Sequence, residues 1–293
     1  VYVITGKAVP PSSSPVNLSD VLSSTFYGLA GEHTGFAVAV NDVNGDGIVD
    51  LIMGAPGDGA TIPGSVLVRY GKKLGWVNGY FHVMWGYNGY RLNGENNGDQ
   101  FGYALSTSDV DHNGVNDIII GAPNWSSAKG SAYVHFGHTA KKHHNLFASQ
   151  YNGVNGVRLR GAANGDQTGA AVAGVDINGD GIGDVVVGAP GAAPGGLSDA
   201  GSSYVVIGHA GWSGSMELST LDGTTGFMLN GSTAGDAAGT ALAVGDLDRD
   251  FVADLLIGAP SADYTFSNAG AVYLFYGERK EPPWTLTIDL NSL

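Results

Sequence analysis

One acidic and apolar pattern recurs four times along this chain and constrains its fold more than any other feature. The stretch DVNGDGIVDLIMGAP begins at Asp42. Related stretches, DVDHNGVNDIIIGAP, DINGDGIGDVVVGAP and DLDRDFVADLLIGAP, begin at Asp109, Asp176 and Asp246. The intervals are 67, 67 and 70 residues. Such regular self-similarity indicates a repeat architecture in which each repeat forms one supersecondary unit.

Each repeat contains four short apolar segments with the composition of β-strands. In the first repeat they are FAVAV at 36–40, DLIMGAP at 50–56, SVLVRYG at 65–71 and GYRLNG at 89–94. These segments are rich in β-branched or aromatic residues and are bounded by Gly, Asn or Asp, which is typical of strands. Four strands per repeat predict an all-β, β-propeller-like array of four-stranded blades, with four calcium-loop repeats and a partial terminal blade.

We expect a single domain over residues 1–293, and its ends are out of phase with the repeat. The repeats lie at about 32–94, 95–161, 162–231 and 232–293, after a partial blade at 1–31. VYVITG and STFYGLAG near the start resemble third and fourth strands, and WTLTIDLNSL at the end resembles the lead-in to a fourth strand. The last blade therefore lacks an outer strand. Three explanations are open for this unpaired edge. The N-terminal strand pair closes the last blade, the chain is a piece of a longer one, or the terminal strands pair with a neighbouring molecule.

The acidic loop between the first and second strands of each repeat has the composition of a cation site. Its pattern is Asp-x-Asp/Asn-x-Asp/Asn-Gly-x-x-Asp. Side chains at positions 1, 3 and 5 can converge, position 7 can add a carbonyl oxygen, and the Asp at position 9 completes the set. Hard oxygen ligands favour Ca²⁺ over zinc or copper. An EF-hand requires Glu at position 12, where this chain has Met53, Ile120, Val187 and Ile257, so these are β-hairpin loops.

Together, these motifs resemble the FG-GAP repeats of the integrin α-subunit β-propeller and related extracellular proteins. The GAP element is intact four times, ending at Pro56, Pro123, Pro190 and Pro260. The FG element is assigned to Gly35-Phe36 and Phe101-Gly102, with degenerate forms at Gly169-Ala170 and Gly239-Thr240. The resemblance covers nearly the whole chain. It implies a propeller fold, an extracellular or cell-surface location and bound Ca²⁺.

The resemblance assigns candidate calcium ligands to each loop, with a carbonyl oxygen at the seventh position. They are Asp42, Asn44, Asp46, Ile48 and Asp50; Asp109, Asp111, Asn113, Val115 and Asp117; Asp176, Asn178, Asp180, Ile182 and Asp184; Asp246, Asp248, Asp250, Val252 and Asp254. About four Ca²⁺ ions would bring the formal charge of −14 to about −6. In the fourth loop Phe251 replaces the glycine that favours positive φ. The alternative for each loop is a solvated turn without metal.

Composition and missing motifs exclude several classes of function. The chain has 13 Lys and Arg against 27 Asp and Glu, which argues against nucleic-acid binding. It has no cysteine, and therefore no disulfide or thiolate metal site. No apolar run has the length of a bilayer span. The sequence contains no nucleophile elbow, zinc-protease motif or phosphate loop, so we expect a protein that is not an enzyme.

Three N-x-S/T sequons suggest a glycoprotein, at Asn17, Asn124 and Asn230. The segment GHTAKKHH at 137–144 is interpreted as a solvated basic loop rather than a transition-metal site. The main hypothesis is a calcium-binding extracellular β-propeller that serves as a non-catalytic interaction or adhesion module for a protein or glycan partner. The alternative is a glycosylated structural subunit of an extracellular fibre or surface appendage, in which copies assemble head to tail through the incomplete terminal blades.

Overall fold

The computed structural model describes residues 2–4, 23–72, 79–80, 88–139, 146–263, 266–280 and 282–293. Within these ranges the chain forms five sheets, short 3₁₀ turns and one four-residue helix, α1 (Trp125–Ala128). The predicted all-β array of repeated blades is confirmed.

The strands follow the predicted repeats. The N-terminal sheet contains β1 (Tyr2–Ile4), β2 (Ser23–Tyr27) and β6 (Gly79–Tyr80). Blade 1 contains β3 (Val38–Asn41), β4 (Asp50–Ala55), β5 (Ser65–Arg69) and β7 (Gly89–Asn93), and blade 2 contains β8 (Leu105–Ser108), β9 (Asp117–Ala122), β10 (Ser131–His135) and β12 (Gly156–Arg160). Blade 3 contains β13 (Ala171–Val175), β14 (Asp184–Ala189), β15 (Ser202–Val206) and β17 (Gly226–Asn230), and blade 4 contains β18 (Ala241–Gly245), β19 (Asp254–Ala259) and β20 (Ala271–Phe275).

Blades 1, 2 and 3 each have a fifth strand in addition to the four predicted from the sequence. These strands are β11 (Leu146–Phe147), β16 (Ser215–Glu217) and β21 (Thr287–Asp289). β11 and β16 come from the lead-ins to the fourth strands β12 and β17, and β21 comes from the corresponding segment of the last repeat. Each pairs in parallel with the fourth strand of the preceding blade. The lead-in at the end of the chain therefore adds to blade 3, and every such strand links two consecutive repeats.

The core lies between consecutive blades. Along β9, Ile118 and Ile120 pack with residues of blade 1, whereas Ile119 packs with Val185 and Val187 of blade 3. This alternation follows the two-residue period of a strand. Because both faces of the blade are covered, the second strand is buried along its whole length, which explains its continuous apolar run in the sequence.

The FG and GAP glycines allow neighbouring blades to approach closely. Gly102, at φ +93°, donates its N–H to the carbonyl of Gly121 in the same blade at 3.0 Å. Its own carbonyl oxygen occupies the place that a Cβ on Gly54 of blade 1 would need. The same arrangement joins Gly169 to Gly121 at the next junction. A side chain at these positions would separate the blades.

The FG element was assigned one residue too late in the first, third and fourth repeats. The N–H of Gly35 donates to the carbonyl oxygen of Gly54, as the N–H of Gly102 does to that of Gly121. Gly35 is therefore equivalent to Gly102, and Thr34 is equivalent to the phenylalanine before it. Phe101 is buried at this position, whereas Phe36 is 56% exposed. The equivalent residues in the third and fourth repeats are Thr168 and Ala238, which form the same isolated bridge as Phe101.

The N-terminal strands pack against the start of the array. β1 pairs with β2, and β2 pairs in parallel with β6. Phe26 on β2 packs with Leu51, Met53 and Leu67 of blade 1. Among the described residues β20 pairs with β19 alone. The N-terminal pair is therefore part of its own sheet beside blade 1 and does not complete blade 4.

Candidate metal centres

The four acidic loops adopt a common turn around the carboxylate at position 1. In the third loop Asp176 accepts the N–H groups of Asp180 at 3.1 Å and Gly181 at 2.9 Å. Asp180 in turn accepts the N–H of Ile182 at 2.7 Å. Equivalent bonds form in the first and second loops. The fourth loop keeps the bonds from positions 6 and 7, whereas the N–H of Asp250 at position 5 donates to Asp248. The backbone is thereby wrapped around the side chains at positions 1, 3 and 5, whose oxygen atoms are the candidate cation ligands.

The aspartate at position 9 is fully buried and joins each loop to the third strand. Asp117 accepts the N–H of Val110, at position 2, and the N–H of Gly137, which follows β10, both at 2.8 Å. The same two bonds recur in every loop. The ninth aspartates are Asp50, Asp117, Asp184 and Asp254, and their glycine donors are Gly71, Gly137, Gly208 and Gly277. Our sequence analysis missed these donors, although a glycine ends the third segment of every repeat.

Several candidate ligands converge in the structure. One carboxylate oxygen from each of Asp109, Asp111 and Asp117 lies within 4.8 Å of the others, and Asp246, Asp248 and Asp254 form an equivalent cluster in the fourth loop. Such spacing places like charges together, which is unfavourable unless a cation lies between them.

The first loop fits a cation through its amide. The Nδ2 group of Asn44 donates to both oxygens of Asp50 at 3.2 and 3.1 Å. Its Oδ1 atom is buried and accepts no hydrogen bond from the described residues. A buried amide oxygen without a donor is costly. A hard cation bound between Asn44 and the loop carboxylates would satisfy this oxygen.

Burial raises the pKa of the ninth aspartate in the first three loops. Burial, followed by the nearby charge of Asp111, raises the pKa of Asp117 to about 8. Burial also raises the pKa of Asp50 to about 6 and that of Asp184 to about 7, with smaller contributions from the carboxylates of their own loops. A divalent ion would reverse this effect, because it stabilises the charged form of the carboxylates around it.

The fourth loop keeps the common turn although it lacks the glycine at position 6. Phe251 adopts φ +68° and still donates its N–H to Asp246 at 3.2 Å. Its side chain is 85% exposed, so the strain is in the backbone and not in the packing. Position 4 is also left-handed in every loop, at Gly45, His112, Gly179 and Arg249, which our sequence analysis did not anticipate.

The loops also contact the following blade through their backbone carbonyls. In the second loop the carbonyl of Asp109 accepts the N–H of Gly183 at 2.8 Å, and the carbonyl of Val110 accepts that of His209 at 3.1 Å. In the third loop Asp176 and Ile177 accept equivalent bonds from blade 4, donated by Ala253 and Glu278. The conformation of these two loops therefore affects the hydrogen bonds between neighbouring blades.

The other sequence-predicted sites lie apart from these loops. Asn124 is partly buried and precedes α1, with Ser126 exposed. Asn230 lies within β17, where its Oδ1 accepts from Ser202 at 2.9 Å and its backbone pairs with Asp289. Asn17 is outside the described residues, as are residues 140–144 of the basic histidine segment. No helix in the described part of the chain is long and apolar enough to span a membrane.

Comparisons with known proteins agree with the repeat pattern. The FG-GAP repeat model matches residues 34–68, 101–135, 168–206 and 238–275. Over 249 residues the chain is 28% identical to integrin alpha-PS2 of Drosophila melanogaster, covering 80% of this chain and 16% of that protein. It is 26% identical to integrin alpha-V of Gallus gallus over 242 residues, covering 79% and 20%.

A further similarity is to phosphatidylinositol-glycan-specific phospholipase D of Rattus norvegicus. The identity is 36% over 115 residues, which cover 38% of this chain and 13% of that protein. The chain spans one fifth or less of the length of these three relatives. The match to four repeat units, which together make up half of the sequence, shows that this chain belongs to the FG-GAP repeat family.

Proposed function

We propose that this chain is a calcium-stabilised, non-catalytic interaction module of an extracellular or cell-surface protein. The observation that carries the proposal is the recurrence of one loop geometry, with a fully buried ninth aspartate, at four equivalent places. The similarity to integrin alpha subunits supports a protein partner and a position outside the cell.

In this proposal about four Ca²⁺ ions bind, one to each loop, through the side chains at positions 1, 3, 5 and 9 and the carbonyl at position 7. Each ion would neutralise carboxylates that the fold brings together, and would fix the carbonyls that contact the next blade. Calcium thus has a structural role, and it holds the array of blades in the form that a partner recognises.

The non-catalytic part of the proposal is based on how the carboxylates are used. The clustered aspartates accept backbone hydrogen bonds from their own loops and from the end of the third strand, which fixes them as turn-forming groups and candidate cation ligands. The similarity to a phospholipase D covers a small part of that enzyme. The fibre-subunit alternative stays a prediction, which particle size in solution tests directly.

Calcium binding is tested by metal analysis after equilibrium dialysis, together with thermal unfolding. We expect about four ions per chain and a higher melting temperature in calcium than in EGTA, because a ligand that binds only the folded state stabilises it by mass action. An equal melting temperature in the two conditions would refute the calcium part. For the interaction part, a surface coated with the chain should retain cells in calcium, and fewer in EGTA.

A further inference from the structure

A polar cavity of about 360 Å³ lies beside the outer strands of blade 2, away from the acidic loops. Arg158 and Arg160 line it from β12, where they share one face because they are two residues apart. Glu95 lines it from the connection between blades 1 and 2. The other lining groups include Ser149, from the turn that follows β11, and Ser213, which precedes β16.

The charged groups of the cavity are held in place by ion pairs. Arg158 lies 2.6 Å from Glu95, with side chains that are 16% and 12% exposed. The ring of Trp125 lies 4.9 Å from the Arg158 guanidinium and its Nε1 donates to Glu95 at 3.2 Å. Arg160 lies 2.9 Å from Glu217, outside the cavity. The lining therefore contains two guanidinium groups against one carboxylate, in a chain with a net charge of −14.

This charged set is not required to build a blade. β17 of blade 3 is the counterpart of β12 and has Met228 and Asn230 where β12 has Arg158 and Arg160. Both strands pair in the same way with their third and fifth strands. The counterpart of Glu95 before blade 3 is Ala162. Blade 1 has one comparable ion pair, between Arg91 of β7 and Glu32 at 2.7 Å, and carries Asn93 at the second position. Among the described fourth strands, Arg160 is therefore the charge that blade 2 adds and that the sheet does not need.

We propose that this cavity binds an acidic sugar, a uronic acid unit of a polysaccharide. A guanidinium group binds a carboxylate with two parallel hydrogen bonds, which Arg160 can offer beside its pairing with Glu217. The serine hydroxyls and Glu95 suit the hydroxyl groups of a sugar ring, and the volume is at the small end of ligand pockets. This site goes beyond the proposed function, since none of its groups belongs to the calcium loops.

The test is a titration of the calcium-loaded chain with D-glucuronate, with D-glucose as the neutral twin, followed by protein NMR. We expect glucuronate to cause saturable chemical-shift changes in the backbone amides of residues 158–160 and 213–215. Glucose should bind at least about tenfold more weakly, because it lacks the carboxylate that accepts a charged hydrogen bond. Sodium sulfate serves as a simple-anion competitor and should not displace glucuronate at equal concentration.

The decisive variant is Arg160→Asn, which installs the residue of blade 3. Glu217 keeps Lys129 as a partner at 3.5 Å, so no carboxylate is left unpaired. We expect glucuronate affinity to fall by about tenfold or more, while Lys72→Asn, with the same charge change at an exposed position, leaves it unchanged. A double variant, Glu95→Ala with Arg158→Met, removes the other ion pair and should abolish binding.

Circular dichroism and the calcium-dependent melting temperature establish that each variant is folded. Equal binding of glucose and glucuronate, displacement by sulfate at equal concentration, or unchanged affinity in Arg160→Asn would each overturn the proposal. So would the absence of glucuronate binding to the folded parent chain. These outcomes leave the calcium stoichiometry untouched, and a failure here is therefore separate from a failure of the proposed function.

Discussion

At the scale of single residues, each acidic loop combines groups that are unfavourable alone and compatible together. The ninth aspartate of each loop is buried, and two residues of each loop are held at positive φ. In the first three loops, neighbouring carboxylates also raise the pKa of this aspartate. Backbone N–H groups compensate part of this cost. A bound cation would compensate the remainder, so the properties of these residues should change sharply with calcium.

Replacing Phe251 with glycine should strengthen the fourth loop. The left-handed backbone at Phe251 costs about 1 kcal/mol for a residue with a Cβ, and the exposed ring contributes little packing. We expect the free energy of unfolding in calcium to rise by about this amount. The reverse change at the equivalent position of the third loop, Gly181→Phe, should lower it. Chemical denaturation in calcium measures both, and a destabilised Phe251→Gly variant would contradict the account of strain.

The raised pKa of Asp117, about 8, predicts opposite pH effects with and without calcium. A carboxyl whose pKa is higher in the folded than in the unfolded chain favours folding when protonated. In EGTA, the contribution of Asp117 to the free energy of unfolding should therefore be fully present below a pH near 4, the pKa of Asp in an unfolded chain. This contribution should be lost as the pH rises through 8. Calcium requires the ionised form, so its affinity should increase over the same range.

Between pH 5 and pH 9, chemical denaturation in EGTA measures how stability depends on pH, and calorimetric titration measures how calcium affinity does. Each unit of pKa shift corresponds to about 1.4 kcal/mol in the free energy of unfolding. Asp117→Asn should flatten both trends in its own loop. A metal-free chain that becomes more stable as the pH rises from 5 to 8 would contradict the prediction.

At the scale of elements, the close approach of neighbouring blades depends on glycines within the strands. A Cβ on Gly121 would overlap the carbonyl oxygen of Gly169 in the next blade. A Cβ on the equivalent Gly258 of blade 4 would have Ala241 of the same blade as its nearest neighbour, with the closest atom, the Ala241 Cβ, at 3.3 Å. The same motif therefore has different constraints in two repeats.

This difference gives a matched pair of variants. Gly121→Ala should destabilise the chain by about 1–3 kcal/mol, because the added carbon forces blades 2 and 3 apart. Gly258→Ala should have a much smaller effect, since no second blade abuts it among the described residues. Thermal unfolding in calcium compares the two. Equal losses would show that the glycine serves the strand itself rather than the contact between blades.

The elements also show how far the sequence could predict this fold. Repeat period, strand order and the acidic loops follow from local patterns, and the family is confirmed. The fifth strands could not be predicted, because β11, with two residues, is too short to have a pattern of its own and is defined by its pairing with the preceding blade. The register of the FG element was misassigned because Gly35 is flanked by Phe36, and only the hydrogen bond to Gly54 identifies Thr34 as the equivalent residue.

At the scale of the whole molecule, the metal loops and the junctions between blades form one connected system. The loop of one blade accepts hydrogen bonds from the next, and the lead-in of the next blade adds a strand to the one before it. An ion bound in one blade should consequently stabilise the blade that follows. Calcium would thus act along the array and not only within single turns.

Hydrogen exchange with Asp180→Ala tests this coupling. Loss of a ligand from the third loop should release the carbonyls of Asp176 and Ile177, which accept the N–H groups of Ala253 and Glu278 in blade 4. We expect faster exchange at these two amides in calcium. His209 donates to the second loop, which keeps its ligands, so its exchange should stay slow. EGTA should accelerate all three amides. If Asp180→Ala changes only the amides of its own loop, then each ion stabilises a single turn and the blades are held together by apolar packing alone.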